Sequence, residues 1–141
     1  MKFILFFLLL LVFKSQFSFA QETQIKSYIR TDTINTKNGT LIIFIKNPKY
    51  DDIKNKFRSS VKVTIKDKKS KKILPLAFVG IRKILFQVGE NGSGNFYLQK
   101  GTYRISAYNI GYNTLSSSIK INSNYTYEIE IFATPKSDML Y

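Results

Sequence analysis

The chain of 141 residues contains no cysteine, no histidine and no tryptophan. Without imidazole or thiol it cannot assemble a Ser-His-Asp or Cys-His site, a zinc peptidase centre or an imidazole proton shuttle. Without cysteine it has no disulfide framework and no thiol to carry an N-terminal lipid, so a bacterial lipoprotein is excluded and stability must come from packing. The missing tryptophan removes the usual sugar-stacking side chain. Acidic residues are scarce as well: 9 Asp and Glu face 22 Lys and Arg, a formal net charge of +13. Glu128 and Glu130 form the only close glutamate pair. Two apart on a strand, they share one solvated face and do not read as a catalytic pair. Asp51-Asp52 lies in a polar stretch without the further carboxylates a calcium site needs. No catalytic residue, cofactor or metal is expected, and the chain is not expected to be an enzyme.

What is present begins with an export pattern. Lys2 precedes eleven consecutive apolar residues, Phe3 to Phe13, and the polar stretch after them ends in Ser18-Phe19-Ala20. This predicts a signal peptide over 1–20, cut between Ala20 and Gln21. The run is shorter than the roughly 20 residues of a membrane-spanning helix, so no transmembrane span is expected after cleavage. Lys14, at the end of the run, leaves an uncleaved anchor as the alternative. The remaining 121 residues make one compact domain. The expected locations are the periplasm, the outer membrane or cell surface, or the medium. Removing Lys2 and Lys14 leaves 20 basic against 9 acidic residues, a net +11. Such a field favours acidic partners: a protein face, an anionic glycan or a glycolipid. The competing account is compositional, since Lys, Ile, Asn, Tyr and Phe dominate the whole chain.

Strand periodicity runs through most of the rest. Val61, Val63 and Ile65 alternate with Lys62, Thr64 and Lys66, the period of a half-buried strand. Ala77 to Ile81, Ile84 to Val88, Phe96 to Leu98, Tyr103 to Ala107, Leu115 to Ile121 and Tyr125 to Ala133 follow at short spacing. Turn chemistry separates them: Gly89 to Gly94 tolerates positive φ, Lys100-Gly101 makes a tight connection, and Asn122-Ser123-Asn124 closes a last hairpin. Short strands with turns between them predict an all-β sandwich or barrel. Before Val61 the pattern is weaker. Residues 21–60 read as a partly ordered N-terminal extension with one strand at 40–46, where Leu41 to Ile45 is too apolar for an exposed edge. Tyr50 to Arg58 reads as a short helix or a solvated loop, and 135–141 as a tail.

The ordered set Val61-Lys-Val-Thr-Ile-Lys-Asp67, Leu74-Pro-Leu-Ala-Phe-Val-Gly-Ile81, Gly94-Asn95-Phe96, Gly101-Thr-Tyr103 and Ile110-Gly111-Tyr112 resembles the carboxypeptidase regulatory-like domains. These are transthyretin-like, seven-stranded β-sandwiches with Greek-key connections, frequent in envelope proteins of Bacteroidetes-type bacteria. The likeness covers 61–134, roughly half the chain. It implies Gly94 in a tight turn, Phe96 in the core, a close turn at Gly101, an inward set Tyr103, Ile105 and Ala107, and Tyr112 laid over the sandwich end. The family's Thr-Asp before Gly-x-Phe is Glu90-Asn91 here, so the aspartate's turn hydrogen bonds would fall to Asn91. Members are commonly joined to a receptor barrel or a peptidase, and the expectation for this sequence is a stand-alone accessory module. Zinc carboxypeptidase activity and the histidine-dependent transthyretin-like hydrolases of purine breakdown are excluded by composition.

The sharpest charge feature is Lys66-Asp-Lys-Lys-Ser-Lys-Lys72, between two predicted strands. Lys66, Lys68, Lys69, Lys71 and Lys72 would be displayed on one turn and attract an anionic partner. The plainer reading is that a lysine-rich turn keeps sheet edges from pairing and the protein in solution. Nucleic acid is not expected, because no aromatic residue is interleaved for stacking. Two functions remain. One is a non-catalytic exported binding module of the envelope, docking on an envelope or outer-membrane protein through loops or a sheet edge. The other is a carbohydrate-binding module of the cell surface, resting on Tyr97, Tyr108 and Tyr127 as exposed aromatics.

Overall fold

The alternation of Val61, Val63 and Ile65 with polar residues is realised as one long strand, and the strands around it follow the same rule. The computed structural model describes residues 28–47, 57–123 and 125–137. The signal peptide, Asp51-Asp52, Asn124 and most of the Tyr50–Arg58 segment and of the tail lie outside them. The described residues form nine strands and no helix: β1 (Tyr28–Thr36), β2 (Gly39–Lys46), β3 (Arg58–Asp67), β4 (Phe78–Ile81), β5 (Ile84–Gln87), β6 (Ser93–Gln99), β7 (Gly101–Tyr108), β8 (Leu115–Ile121) and β9 (Thr126–Ala133).

They assemble into two sheets, one ordered β1-β2-β9-β3-β6 and the other β5-β4-β7-β8. All pairings are antiparallel except β3 with β9, which run parallel with Val63 opposite Ile129 and Ile65 opposite Ile131. The inner faces meet in one core. Val61, Val63 and Ile65 of β3, Tyr127, Ile129 and Ile131 of β9 and Leu41 and Ile43 of β2 pack with Val79, Ile105, Leu115, Ile119 and Ile121 of the other sheet. Each fully buried branched side chain contributes about 1.5–3 kcal/mol. With no disulfide available, this cluster holds the two sheets together.

The described residues form nine strands where the family likeness implies seven. The two additional ones fall in the segment expected as an extension with a single strand: β2 lies between β1 and β9, and its Leu41 and Ile43 are buried in the common core. β1 is hard to read in sequence for a physical reason. As an edge strand it turns Thr31, Thr33 and Asn35 outward and Asp32 and Ile34 inward, and Asp32 reaches the rim to pair with Arg30 at 2.8 Å. Both faces are therefore largely polar.

Two turns also differ from the sequence reading. β6 and β7 belong to different sheets, as do β8 and β9, so Lys100-Gly101 and Asn122-Ser123 carry the chain across the sandwich and close no hairpin. Gly94 lies within β6, opposite Val63. The glycine the turn requires is Gly92, at φ 65°, where a Cβ would come within 2.1 Å of Ile73 Cγ2. Asn91 takes the role expected of it: its Oδ1 accepts the Ser93 N–H at 3.0 Å.

Candidate functional site

The lysine cluster follows directly from where β3 ends. Asp67 is the last residue of β3 and is buried. Its N–H donates to the Lys72 carbonyl at 2.8 Å, and its own carbonyl accepts the Lys71 N–H at 2.9 Å, which closes the turn. The carboxylate accepts the Ser70 N–H. That bond, together with the Ser70 hydroxyl, the Tyr112 hydroxyl and the Lys69 backbone, outweighs burial and holds the Asp67 carboxyl below its usual range. Burial, and then the same contact with Asp67, pushes the Tyr112 phenol up. Tyr112 is half-buried against the core, in a bridge to Pro135.

The five lysines are not equivalent. Lys66 lies on β3, half-buried and ion-paired with Glu130 of β9, so it is not part of the displayed turn. Lys71 adopts φ 62° and lays its ammonium 4.7 Å from the centre of the Phe132 ring. Lys68, Lys69 and Lys72 are exposed, and no ion pair holds them among the described residues. Lys71 is exposed as well, so the displayed charge is four lysines around a buried aspartate, one of them resting on a ring.

Glu128 and Glu130 do share one face of β9, but that face is built from ion pairs. Lys46 donates to Glu128 at 2.7 Å, and the Tyr28 hydroxyl donates to the same carboxylate at 3.0 Å. Burial pushes the Glu128 carboxyl up; the Lys46 and Tyr28 hydrogen bonds outweigh it, and the group lies below its usual range. Among the described residues no group of three or more potential metal ligands is brought together, and no helix is long and apolar enough to cross a membrane. Of the three tyrosines expected to be exposed, Tyr97 and Tyr108 are. Tyr127 is 1% exposed and belongs to the core, its hydroxyl accepting the Asn122 N–H at 2.8 Å. Its side chain alternates with Glu128 and Glu130 and so faces inward with Ile129 and Ile131.

A second surface was not singled out from the sequence. β5 is an edge strand, and all four of its residues are exposed, Ile84 at 62%, Leu85 at 58% and Phe86 at 38% among them. β6 is the facing edge of the other sheet. Between the two edges runs an open groove of about 580 Å³, bordered by Ile84 and Phe86 on one side and Phe96 and Tyr97 on the other. Phe86 meets Phe96 edge-on, with ring centres 5.1 Å apart. Arg58 and Arg82 close one end. Arg82 stands in the two-residue β4–β5 turn at φ 58°, with its guanidinium 4.7 Å from the centre of the Tyr103 ring. Among the described residues no carboxylate borders the groove. The sequence carries no signal for this surface: Ile84-Leu85-Phe86, three large apolar residues in succession, has the composition of core, and β4, equally short, is buried at three of its four residues.

A scan against models of known protein families gives no match, and no curated protein sequence matches the chain.

Proposed function

We propose that the protein is an exported, non-catalytic binding module of the cell envelope that docks on an envelope or outer-membrane protein through a sheet edge. The observation that carries this reading is the β5 edge, which leaves Ile84, Leu85 and Phe86 in solvent beside a groove. An unpaired strand with apolar side chains is a template for a partner's strand, and soluble proteins ordinarily blunt such an edge with charge, proline or a bulge. The lysine-rich turn is the second docking element, through Lys68, Lys69 and Lys72. Export rests on the apolar run Phe3 to Phe13 and the Ser18-Phe19-Ala20 site. A non-catalytic role rests on the absence of histidine and cysteine.

The same proposal takes the domain to be carboxypeptidase regulatory-like, with the transthyretin-like Greek-key topology. In support, β3 to β9 are seven strands between Arg58 and Ala133, almost the range of the likeness. The inward set Tyr103, Ile105 and Ala107 is buried. β1 and β2 would then be an addition to one side of the family's sandwich.

The test is a photo-crosslinking side chain introduced at Leu85 and, separately, at Lys69 in the protein expressed in its own cells. The expected result is one reproducible envelope protein captured from Leu85. Absence of any crosslinked protein from both positions sinks the docking reading.

A further inference from the structure

From the chemistry of the groove we infer that the β5 edge takes up an extended, acidic segment of a partner protein, which adds to the four-stranded sheet as a fifth strand and sets its carboxylates against Arg58 and Arg82. This rests on the docking reading above and names what docks.

The backbone supplies the first part. β4 and β5 are joined by the two residues Arg82-Lys83, with Ile81 opposite Ile84 and Val79 opposite Phe86. In a two-residue hairpin the flanking pair exchanges hydrogen bonds and every second pair does the same. The peptide groups of Ile84 and Phe86 are thereby turned towards β4, and those of Leu85 and Gln87 towards the free edge. The Arg82 N–H, which donates to the Arg104 carbonyl of β7 at 3.0 Å, has the alternation this requires. A strand added at this edge finds two residues' worth of donors and acceptors, and its inward side chains fall over the groove between β5 and β6.

Charge supplies the second part. The groove has two arginines at one end and, among the described residues, no carboxylate on its border. Neither arginine is in an ion pair among the described residues. Arg82 is held on the face of Tyr103, which presents the planar guanidinium fork in a fixed position for a carboxylate. The apolar walls, Ile84 and Phe86 opposite Phe96 and Tyr97, suit aliphatic side chains alternating with the acidic ones. A sulfated or phosphorylated glycan could satisfy the arginines, but it has no main-chain amides to pair with Leu85 and Gln87 and gains little from the apolar walls.

The probe is a fluorescein-labelled octapeptide alternating valine and glutamate, compared with the same peptide carrying lysine for glutamate, and with heparin as competitor. Titration of the isotope-labelled protein is expected to show binding of the acidic peptide, with amide shifts at Leu85 and Gln87. Arg58→Gln with Arg82→Asn is expected to weaken that binding by about tenfold, the scale of two exposed charge pairs. Asparagine is chosen at 82 because it tolerates positive φ. Leu85→Pro removes an outward N–H without touching the β4 ladder and is expected to abolish binding; retained amide spectra show that each variant is folded. Equal affinity for the lysine peptide, shifts at another surface, displacement by heparin without amide shifts along β5, or no binding each overturns the inference. If Leu85 still captures an envelope protein in cells while the acidic peptide fails to bind, docking stands and the acidic segment falls.

Discussion

Replacing Asp67 by alanine is expected to loosen the lysine-rich turn and to do so in a pH-dependent way. The carboxylate terminates β3, accepts the Ser70 N–H and contacts the Tyr112 hydroxyl. Hydrogen bonds to a charged group contribute about 1.5–3 kcal/mol each in mutational series. One such bond, from the Ser70 N–H, is made to the carboxylate, and at the lower end of that range Asp67→Ala should cost about 1.5 kcal/mol near neutral pH. For a domain of this size that is a fall in Tm of roughly 6 °C. The sign of the pH dependence follows from the direction of the shift. A carboxyl whose folded pKa is depressed stabilises the fold above its unfolded pKa, and that contribution is lost as pH falls through the folded value. The deficit of Asp67→Ala should therefore be full above about pH 5 and shrink as the pH drops below the ordinary aspartate range near 4. Glu128 is depressed too, so the wild-type protein loses stability over the same window for a second reason. The informative quantity is the difference between the two proteins in urea denaturation at about pH 7 and about pH 2.5. Asp67→Asn, which keeps an acceptor and drops the charge, should lie between them at neutral pH. An Asp67→Ala protein as stable as wild type at pH 7, or a deficit unchanged on acidification, would refute the role assigned to this carboxylate.

Gly92→Ala should cost about 2 kcal/mol, because the added methyl combines a positive φ with contact against Ile73 and the Leu74 carbonyl. Gly101→Ala, where a Cβ would meet only the Tyr103 ring at 3.5 Å, should stay within about 0.5 kcal/mol of wild type; thermal melts of the two variants settle the ranking. Tyr127→Phe leaves the Asn122 N–H without its acceptor and should cost about 1–2 kcal/mol by chemical denaturation; an unchanged midpoint would show that water replaces the hydroxyl. Lys46→Ala removes the ammonium that pairs with Glu128 and lies 4.4 Å from the centre of the Tyr28 ring. It should cost about 0.5–1 kcal/mol at low salt and less at high salt, and a salt-independent cost would point to packing of the lysine stem.

The alternating positions were legible because an inner-face residue must be apolar whatever its partner. Val61, Val63 and Ile65, Tyr103, Ile105 and Ala107, and Leu115, Ile119 and Ile121 all turn to the core in the strands where their spacing predicts them. Tyr127 obeys the same rule: it shares the phase of Ile129 and Ile131 and lies in the core, not among the exposed aromatics where the sequence reading places it.

What needed the tertiary structure was everything that depends on which strand lies beside which. Local spacing does not say that β3 runs parallel to β9, and only that pairing brings Lys66 to Glu130 and removes it from the displayed turn. Nor does it distinguish a hairpin from a crossing between sheets, because both need the same turn residues at Lys100-Gly101 and Asn122-Ser123. β1 was faint because an edge strand at the rim has no fully buried face to mark it. The exposed run Ile84-Leu85-Phe86 reads in sequence as core. It is surface because β5 is the last strand of its sheet, where no neighbour covers it and the arginines of another strand and of a turn close the groove beside it. Periodicity records which side of a strand is apolar; the order of strands in the sheets decides which apolar sides are left in solvent.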